Sequence, residues 1–360
     1  MTLAALINWL QTAVAKRTLR LPPVMQYCGF PIIWAGDFIF GMLNKIDVSL
    51  PSSRSRIDRI IRDAQQQASC NQVPNEQKLA IVTGANSGIG YETAKALGRA
   101  GYRTILACRN PQLGAEAIQK LERQTGLLDR FEFKQLDLAS FSSIDEFVKD
   151  ILSRGSSIDI LVNNAGVMAC PLSKTTENIE MQFGTNHVGH FILTMGLLEQ
   201  LKKAQDGARI LIVSSIASFL QSEIDYTRIE QDARYHHWRN YGISKLANLL
   251  FTTALARKLQ GSGITVNALH PGTVFTPLHR HVSSSSLGIM AQRVVLDDVF
   301  TGALTSIYLA LSPEVQGQSG LFYARGVLRD MHPNAMDQEA QDKLWEYTEN
   351  LIAKRRGKME

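Results

Sequence analysis

From residue 78 onward the chain alternates short runs rich in β-branched and apolar residues with longer runs of helical periodicity, a pattern few architectures accept. Strand candidates are residues 79–82, 104–108, 131–135, 158–162, 209–214 and 264–269. Helix candidates lie between them at 88–100, 112–124, 142–154, 180–203 and 242–260. A strand followed by a helix long enough to cross back pairs in parallel with the next strand, and such a sheet is covered on both faces. The expected class is therefore α/β, a doubly wound parallel sheet in a single catalytic domain over residues 78–330. No repeat long enough for a solenoid or propeller is visible. With 45% apolar and 20% charged residues in 360, the chain can bury a substantial core, which excludes a disordered or collagen-like polymer.

The first strand runs into Thr83-Gly84-Ala85-Asn86-Ser87-Gly88-Ile89-Gly90, and a helix begins inside that segment. Glycines at a strand end allow a tight turn and close backbone approach, while the helix start offers unpaired N–H groups to a pyrophosphate. A dinucleotide site in a Rossmann-type sheet is implied, with Gly84, Asn86, Ser87, Gly88, Ile89 and Gly90 as its candidate residues. The Gly-Lys-Ser/Thr ending of a triphosphate loop is missing, which disfavours ATP hydrolysis. The second strand ends in Cys108-Arg109-Asn110, where many NAD-binding chains place an acid for the ribose 2′-hydroxyl. A cation there favours a 2′-phosphate, so Arg109 points to NADP(H) over NAD(H).

Further along, Asn163-Asn164-Ala165-Gly166 places two amides and two small residues at the fourth strand end, and Ser214-Ser215 follows the fifth strand. Tyr241 and Lys245 stand four apart and so share a helix face, which lets the ammonium sit near the phenol. A phenol of pKa about 10 is a poor base at neutral pH, and a nearby cation together with an oxidised nicotinamide would lower that value. Taken alone this pair means little. In order after the glycine turn, the amide-rich strand end and the serine pair, it is strong.

This ordered set resembles the short-chain dehydrogenase/reductase family over about residues 78–330. The resemblance implies a catalytic set of Asn186, Ser215, Tyr241 and Lys245. In that set Tyr241 is the general acid/base and Ser215 holds the substrate oxygen. Lys245 lowers the phenol pKa and binds the nicotinamide ribose, while Asn186 holds a relay water. It also implies Asp137 and Leu138 on the adenine side, Asn164, Ala165 and Gly166 along the cofactor, and Pro271, Gly272 and Thr276 at the nicotinamide carboxamide. Segments 164–168, 186–191, 244–248 and 267–272 are most similar to the retinol dehydrogenase branch. Residues 305–308 and 312–314 look like members of that branch that handle polyprenol and dolichal. The implied reaction moves hydride between NADP(H) and a lipophilic alcohol or its aldehyde or ketone, retinoid- or polyprenoid-like, with steroids as the next substrate class. A cofactor-binding scaffold without turnover is the rival reading.

The N-terminal seventy residues have a different character. Residues 1–72 hold 8 basic and 4 acidic side chains, so they supply +4 of a formal net charge of +5. The remainder is close to neutral, which argues against a nucleic-acid partner. Leu3, Leu6, Ile7, Leu10 and Val14 fall on one helical face, Asn8, Gln11 and Thr12 on the other, and Lys16, Arg17 and Arg20 follow. No apolar run is long enough to span a bilayer, so residues 1–50 read as a membrane-surface extension, with packing on the main domain as the alternative. Residues 51–77 read as a connector and 331–360 as a C-terminal helix with a basic, solvated tail. The expected partners are a lipophilic small molecule, a membrane surface reached through residues 1–45 and, as an option, a second copy of the chain. The expected location is the cytosol-facing endoplasmic reticulum or a lipid droplet. A mitochondrion is the alternative, because residues 1–36 hold no acid.

Between Ser215 and Tyr241 lies an inserted segment with Phe219, Leu220, Tyr226, Tyr235, His236, His237 and Trp238, read either as cover for a greasy substrate or as a surface excursion. Residues 275–290 stand where the family carries its substrate lid. His187 with His190, and His279 with His281, lack Cys or carboxylate partners at metal-site spacing, so no metal is expected. Ser87 lacks the preceding glycine of a nucleophile elbow, which disfavours a serine hydrolase.

Overall fold

The computed structural model describes residues 54–70, 78–272, 274 and 298–357, with the side chains of 67–70 left undescribed. The membrane-surface expectation for residues 1–50, the cofactor residue Thr276 and the expected lid at 275–290 lie outside these residues. Within them the elements run α1 (Arg54–Cys70), β1 (Leu79–Thr83), α2 (Gly88–Arg99), β2 (Arg103–Cys108), α3 (Pro111–Thr125), β3 (Phe131–Gln135), α4 (Phe141–Ser153) and β4 (Ile160–Asn163). After several short helical turns come α5 (Gly189–Gly196), β5 (Arg209–Val213), α6 (His237–Lys258), β6 (Thr265–His270), α7 (Val299–Leu311), β7 (Phe322–Ala324), β8 (Val327–Arg329) and α8 (Gln338–Arg356).

The strands form one eight-stranded sheet in the order β3-β2-β1-β4-β5-β6-β7-β8. Strands β1 to β7 pair in parallel, and β8 turns back antiparallel on β7. The α/β class expected from the alternation is the observed one. Central strands such as β1 are buried along their whole length, so alternate residues feed opposite cores. Leu79 and Ile81 join the core under α4, α5, α6 and α8, whereas Ala80 and Val82 join the core under α1, α2, α3 and α7. Strand order reverses beside β1, whose neighbours are β2 and β4, and this opens a crevice at the carboxyl ends of the strands.

Local chemistry sets the helix limits. Asn110 caps α3 by accepting from the Leu113 N–H at 3.0 Å, Pro111 takes the first helical position, and Gly126 closes the helix at φ 70°. Asp298 caps α7 through the N–H and hydroxyl of Thr301, at 2.9 and 2.8 Å.

The structure refines three sequence readings and corrects a fourth, the single helix expected at 180–203. The connector holds a docked helix, because Ile57, Ile60 and Ile61 recur at helical spacing on α1 and bury against the core beside α7. Arg56 of α1 pairs with Glu314, and Arg54 lies 3.6 Å from Asp298 and 4.5 Å over the Phe300 ring. The basic tail is the last turn of α8, where Arg356 makes a two-pronged bond to Asp145 at 2.6 and 2.8 Å. Residues 180–203 are not one helix. A single turn, Met181–Phe183, passes into a π-helical turn, Gly184–Val188, before α5 begins. A Cβ on Gly184 would lie 2.4 Å from Thr175 and one on Gly189 2.4 Å from the Leu138 carbonyl, so the π-helical turn packs on these neighbours only through glycine. The inserted segment is likewise not one open loop: it forms the turns Ile216–Leu220, Tyr226–Glu230 and Asp232–Arg234, and α6 starts at His237, one turn ahead of Tyr241.

Candidate active site

The glycine turn after β1 has the shape its sequence suggested. Gly84 and Gly88 have φ of +66° and +62°, the left-handed region that favours glycine. At Gly90 a Cβ would come within 2.5 Å of Asn164 Nδ2 and 2.7 Å of the Gly84 carbonyl, so any side chain would prise the turn from the β4 end. Ser87 stands at the N-cap of α2 in extended conformation without a capping side-chain bond. The cradle therefore fits a pyrophosphate group: a bare backbone turn feeding a twelve-residue helix at the switch point of the sheet.

Around it lie the other expected cofactor residues. Arg109 is exposed just past β2, and Asn110 beside it is committed through its amide oxygen to capping α3. Asp137 accepts from the Ala139 N–H at 2.9 Å and so folds the turn after β3, leaving the neighbouring Leu138 buried against Gly189. Asn164 donates through Nδ2 to the Thr83 carbonyl at 2.7 Å, and the Asn164 and Ala165 N–H groups both donate to Thr83 Oγ1 at 2.9 Å. Pro271 and Gly272 follow β6 on the same side of the sheet, with Gly272 at φ 87°.

Tyr241 and Lys245 sit one turn apart on α6, both at least 95% buried, with the ammonium 5.7 Å from the phenol ring centre. Ser215 Oγ accepts from the Ala217 N–H at 3.2 Å and lies near enough to the Tyr241 phenol to favour its ionised form. Ser214 Oγ donates to the Lys245 carbonyl at 2.7 Å, so that hydroxyl is spent on α6. Lys245 Nζ donates to the Val213 carbonyl at 3.0 Å. Burial pushes the Tyr241 phenol up to about 12, opposed by Ser215, and burial pushes Lys245 down to about 8. The expected lowering of the phenol, by Lys245 together with an oxidised nicotinamide, would work against this desolvation.

Asn186 belongs to the π-helical turn and is fully buried. Its Oδ1 accepts from the Val167 N–H at 2.8 Å, and its Nδ2 donates to the Val167 carbonyl and to Ser244 Oγ, each at 2.9 Å. Ser244 Oγ in turn donates to the Tyr241 carbonyl at 2.8 Å. The Asn186 side chain is therefore a brace between the Gly166 turn and α6. A Cβ on Gly166 would stand 3.0 Å from Asn186 Oδ1 and 3.6 Å from Lys245 Nζ, so glycine keeps these three segments together.

One wall beside Tyr241 is apolar: Met168, Ala169 and Ala217 cluster with it, and Leu220 and Trp238 of the inserted segment pack against them. Tyr235 of the same segment donates to the Cys170 carbonyl at 2.5 Å and accepts from Gln182 Nε2 at 3.1 Å, tying the segment to the loop after β4. The sequence offered no sign of the roles of Thr83, Gln182, Ser244 or His190, since each acts through a partner far away in the chain. The arrangement can pass a proton between Tyr241 Oη and an oxygen held by Ser215, against an apolar wall.

Comparison with known proteins agrees with this geometry. The sequence profile of the short chain dehydrogenase family matches residues 78–286. Mouse retinol dehydrogenase 14 is 40% identical over 288 residues, covering 76% of this chain and 86% of its own length. Human retinol dehydrogenase 13 is 42% identical over 283 residues, covering 76% of this chain and 84% of its own length. A crystal structure of an uncharacterized protein from Mycobacterium paratuberculosis superimposes with a TM-score of 0.61 at 31% identity, over 79% of this chain and 96% of that one.

Proposed function

The chain belongs to the short-chain dehydrogenase family, whose members interconvert alcohols and carbonyls with a nicotinamide cofactor, and on that premise we propose that it uses NADP(H) to interconvert a lipophilic alcohol and its aldehyde or ketone. The observation that carries this reading is the buried phenol of Tyr241, one turn from the buried ammonium of Lys245, which lies 5.7 Å from the phenol ring centre. The nicotinamide, when bound, supplies or accepts the hydride.

The protein's own groups orient the substrate and move the proton. Ser215 Oγ holds the substrate oxygen, and Tyr241 Oη gives it a proton during carbonyl reduction or takes one during alcohol oxidation. Lys245, charged below about pH 8, stabilises the phenolate left after donation and reaches the nicotinamide ribose. Gly84, Asn86, Ser87, Gly88, Ile89 and Gly90 hold the pyrophosphate. Asp137 and Leu138 would flank the adenine side, Asn164, Ala165 and Gly166 would line the cofactor, and Pro271 and Gly272, with Thr276 beyond the described residues, would meet the carboxamide. Arg109, exposed beside Asn110, binds the 2′-phosphate and so sets the preference for NADP(H).

Met168, Ala169, Ala217, Leu220 and Trp238 would receive an apolar substrate chain, so water is excluded where the proton moves. Retinoids lead because two similar proteins are named retinol dehydrogenases, and polyprenoids follow. The polyprenol-like residues have fold roles that leave the substrate open: Thr305 Oγ1 accepts from the Gly326 N–H, and Ser312 caps the turn that holds Glu314. Residues 1–45 would dock the enzyme on a membrane surface, at the endoplasmic reticulum or a lipid droplet. No helix among the described residues is long and apolar enough to cross a membrane.

The test is oxidation of NADPH by purified full-length protein across retinal, polyprenal and steroid carbonyls. Turnover of one class supports the reading. NADPH binding without turnover of any supports a cofactor-binding scaffold instead. Arg109→Asp should shift preference from NADP toward NAD by at least about tenfold, and an unchanged ratio of kcat/KM would remove Arg109 from the site.

A further inference from the structure

His190 lies on α5, is 2% exposed, and has both ring nitrogens engaged. Its Nδ1 is 3.0 Å from the Asn186 carbonyl oxygen, and its Nε2 is 2.9 Å from Thr83 Oγ1. These contacts fix where the proton sits. A carbonyl oxygen only accepts, so Nδ1 carries the hydrogen. Thr83 Oγ1 already accepts from the Asn164 and Ala165 N–H groups, which fill both lone pairs, so its own hydrogen must point outward. The nearest acceptor for it is Nε2 at 2.9 Å, with the Val162 carbonyl farther off at 3.3 Å. The imidazole is thereby held neutral in one tautomer, and burial with the nearby Lys245 charge keeps a second proton off.

Through this one ring three segments of the site are joined. Thr83 is the last residue of β1 and begins the glycine turn, its hydroxyl anchors the Asn164-Ala165 backbone, and Asn186 presents its carbonyl from the π-helical turn. Because the Asn186 side chain is saturated by Val167 and Ser244, His190 acts on this residue through its carbonyl. By bonding that oxygen the imidazole fixes the π-helical turn against β1.

Resting on the oxidoreductase reading above, we propose that His190 is a positioning residue for the reaction: as the Nδ1–H tautomer it sets the Asn186 carbonyl and, through the Thr83 hydroxyl, the cofactor turn and the β4 end as one unit. It touches no substrate itself.

Two measurements test this. In full-length protein with 15N-labelled histidine, long-range 1H–15N correlation should show His190 with its proton on Nδ1, the minor form for free histidine. Its signals are assigned by their loss in His190→Phe. In the second, His190→Phe and Thr83→Val should each lower kcat by about tenfold or more, with KM for the carbonyl substrate within about threefold. The double variant should be little worse than either single one, because both break the same link. Thr83→Ser should recover most of what Thr83→Val loses. A proton on Nε2, a folded His190→Phe with kcat within about twofold of wild type, or additive losses would each overturn the proposal. Should the phenylalanine variant not fold, His190→Gln supplies the assignment and Thr83→Val carries the kinetics. The tautomer is read without cofactor or substrate, so wild-type protein that turns over nothing sinks the functional reading while the imidazole assignment is still decided.

Discussion

At the amino ends of the strands, the Asp159 carboxylate accepts from the Leu79 N–H at 2.8 Å, and Arg209 donates to the Leu309 and Ser312 carbonyls at 3.0 and 2.9 Å and to Gln316 at 3.0 Å. Lys78 and Asp206 pair at 2.7 Å beside them. At the carboxyl ends most of the polar groups are more deeply buried, and they divide into two sets. Thr83, His190, Asn186 and Ser244 bond to backbone and to one another, whereas Tyr241, Ser215 and Lys245 keep donors or acceptors to offer a ligand. A buried polar side chain used up on strand and helix ends serves stability, and one held in place with hydrogen-bonding capacity in reserve serves chemistry. The saturated network between the two is what lets the reserve groups stay fixed.

Substitutions at the two ends should therefore separate activity from stability. Tyr241→Phe removes the proton shuttle and should cut turnover by about a thousandfold while nucleotide affinity and melting temperature stay nearly unchanged. Turnover within tenfold of wild type would end the role given to the phenol. Acid should act next, and on stability. His187, His190 and His332 are buried and pushed down to about 3, 4 and 4, so their contribution is complete above pH 6.5 and is lost as pH falls toward those values. By pH 5 each should have lost about 2 kcal/mol, measurable by denaturant unfolding along a pH series. A flat profile from pH 7 to 5 would contradict it.

Arg209→Met should do the reverse of Tyr241→Phe. It strips two buried carbonyls of their donor and should cost about 2 kcal/mol of stability, with kcat of the folded protein unchanged. The mildest effect belongs to Lys245. Its folded pKa of about 8 lies below its ordinary value, so carbonyl reduction should hold up to about pH 8 and decline above it as the ammonium loses its proton. Rates that stay level to pH 10 would show that the charge is dispensable.

Much of this architecture can be read along the chain. Strands β1 to β6 fall within two residues of their expected limits, because central parallel strands are continuous apolar runs bounded by turn residues. β7 and β8 have three residues each, too few to carry a periodic signal, and both went unrecognised. Residues 51–77 read as a connector, because nothing local reveals that Ile57 and Ile61 of α1 find the core beside α7. At the site, Tyr241, Lys245 and Ser215 were legible from their order behind the glycine turn. For Asn186, the saturation of its amide by Val167 and Ser244 is invisible in a linear string.

The sequence by itself determined the layered α/β class, the glycine turn and the reacting pair, because each depends on spacing within a few residues or on one strand followed by one helix. Tertiary structure alone decided that Ser214 is spent on the Lys245 carbonyl, that the helix after Phe183 begins as a π turn, and how His190 links Thr83 to Asn186. Those outcomes turn on hydrogen bonds and close approaches between residues that only folding brings within 3 Å, where a donor can be assigned one acceptor and no other.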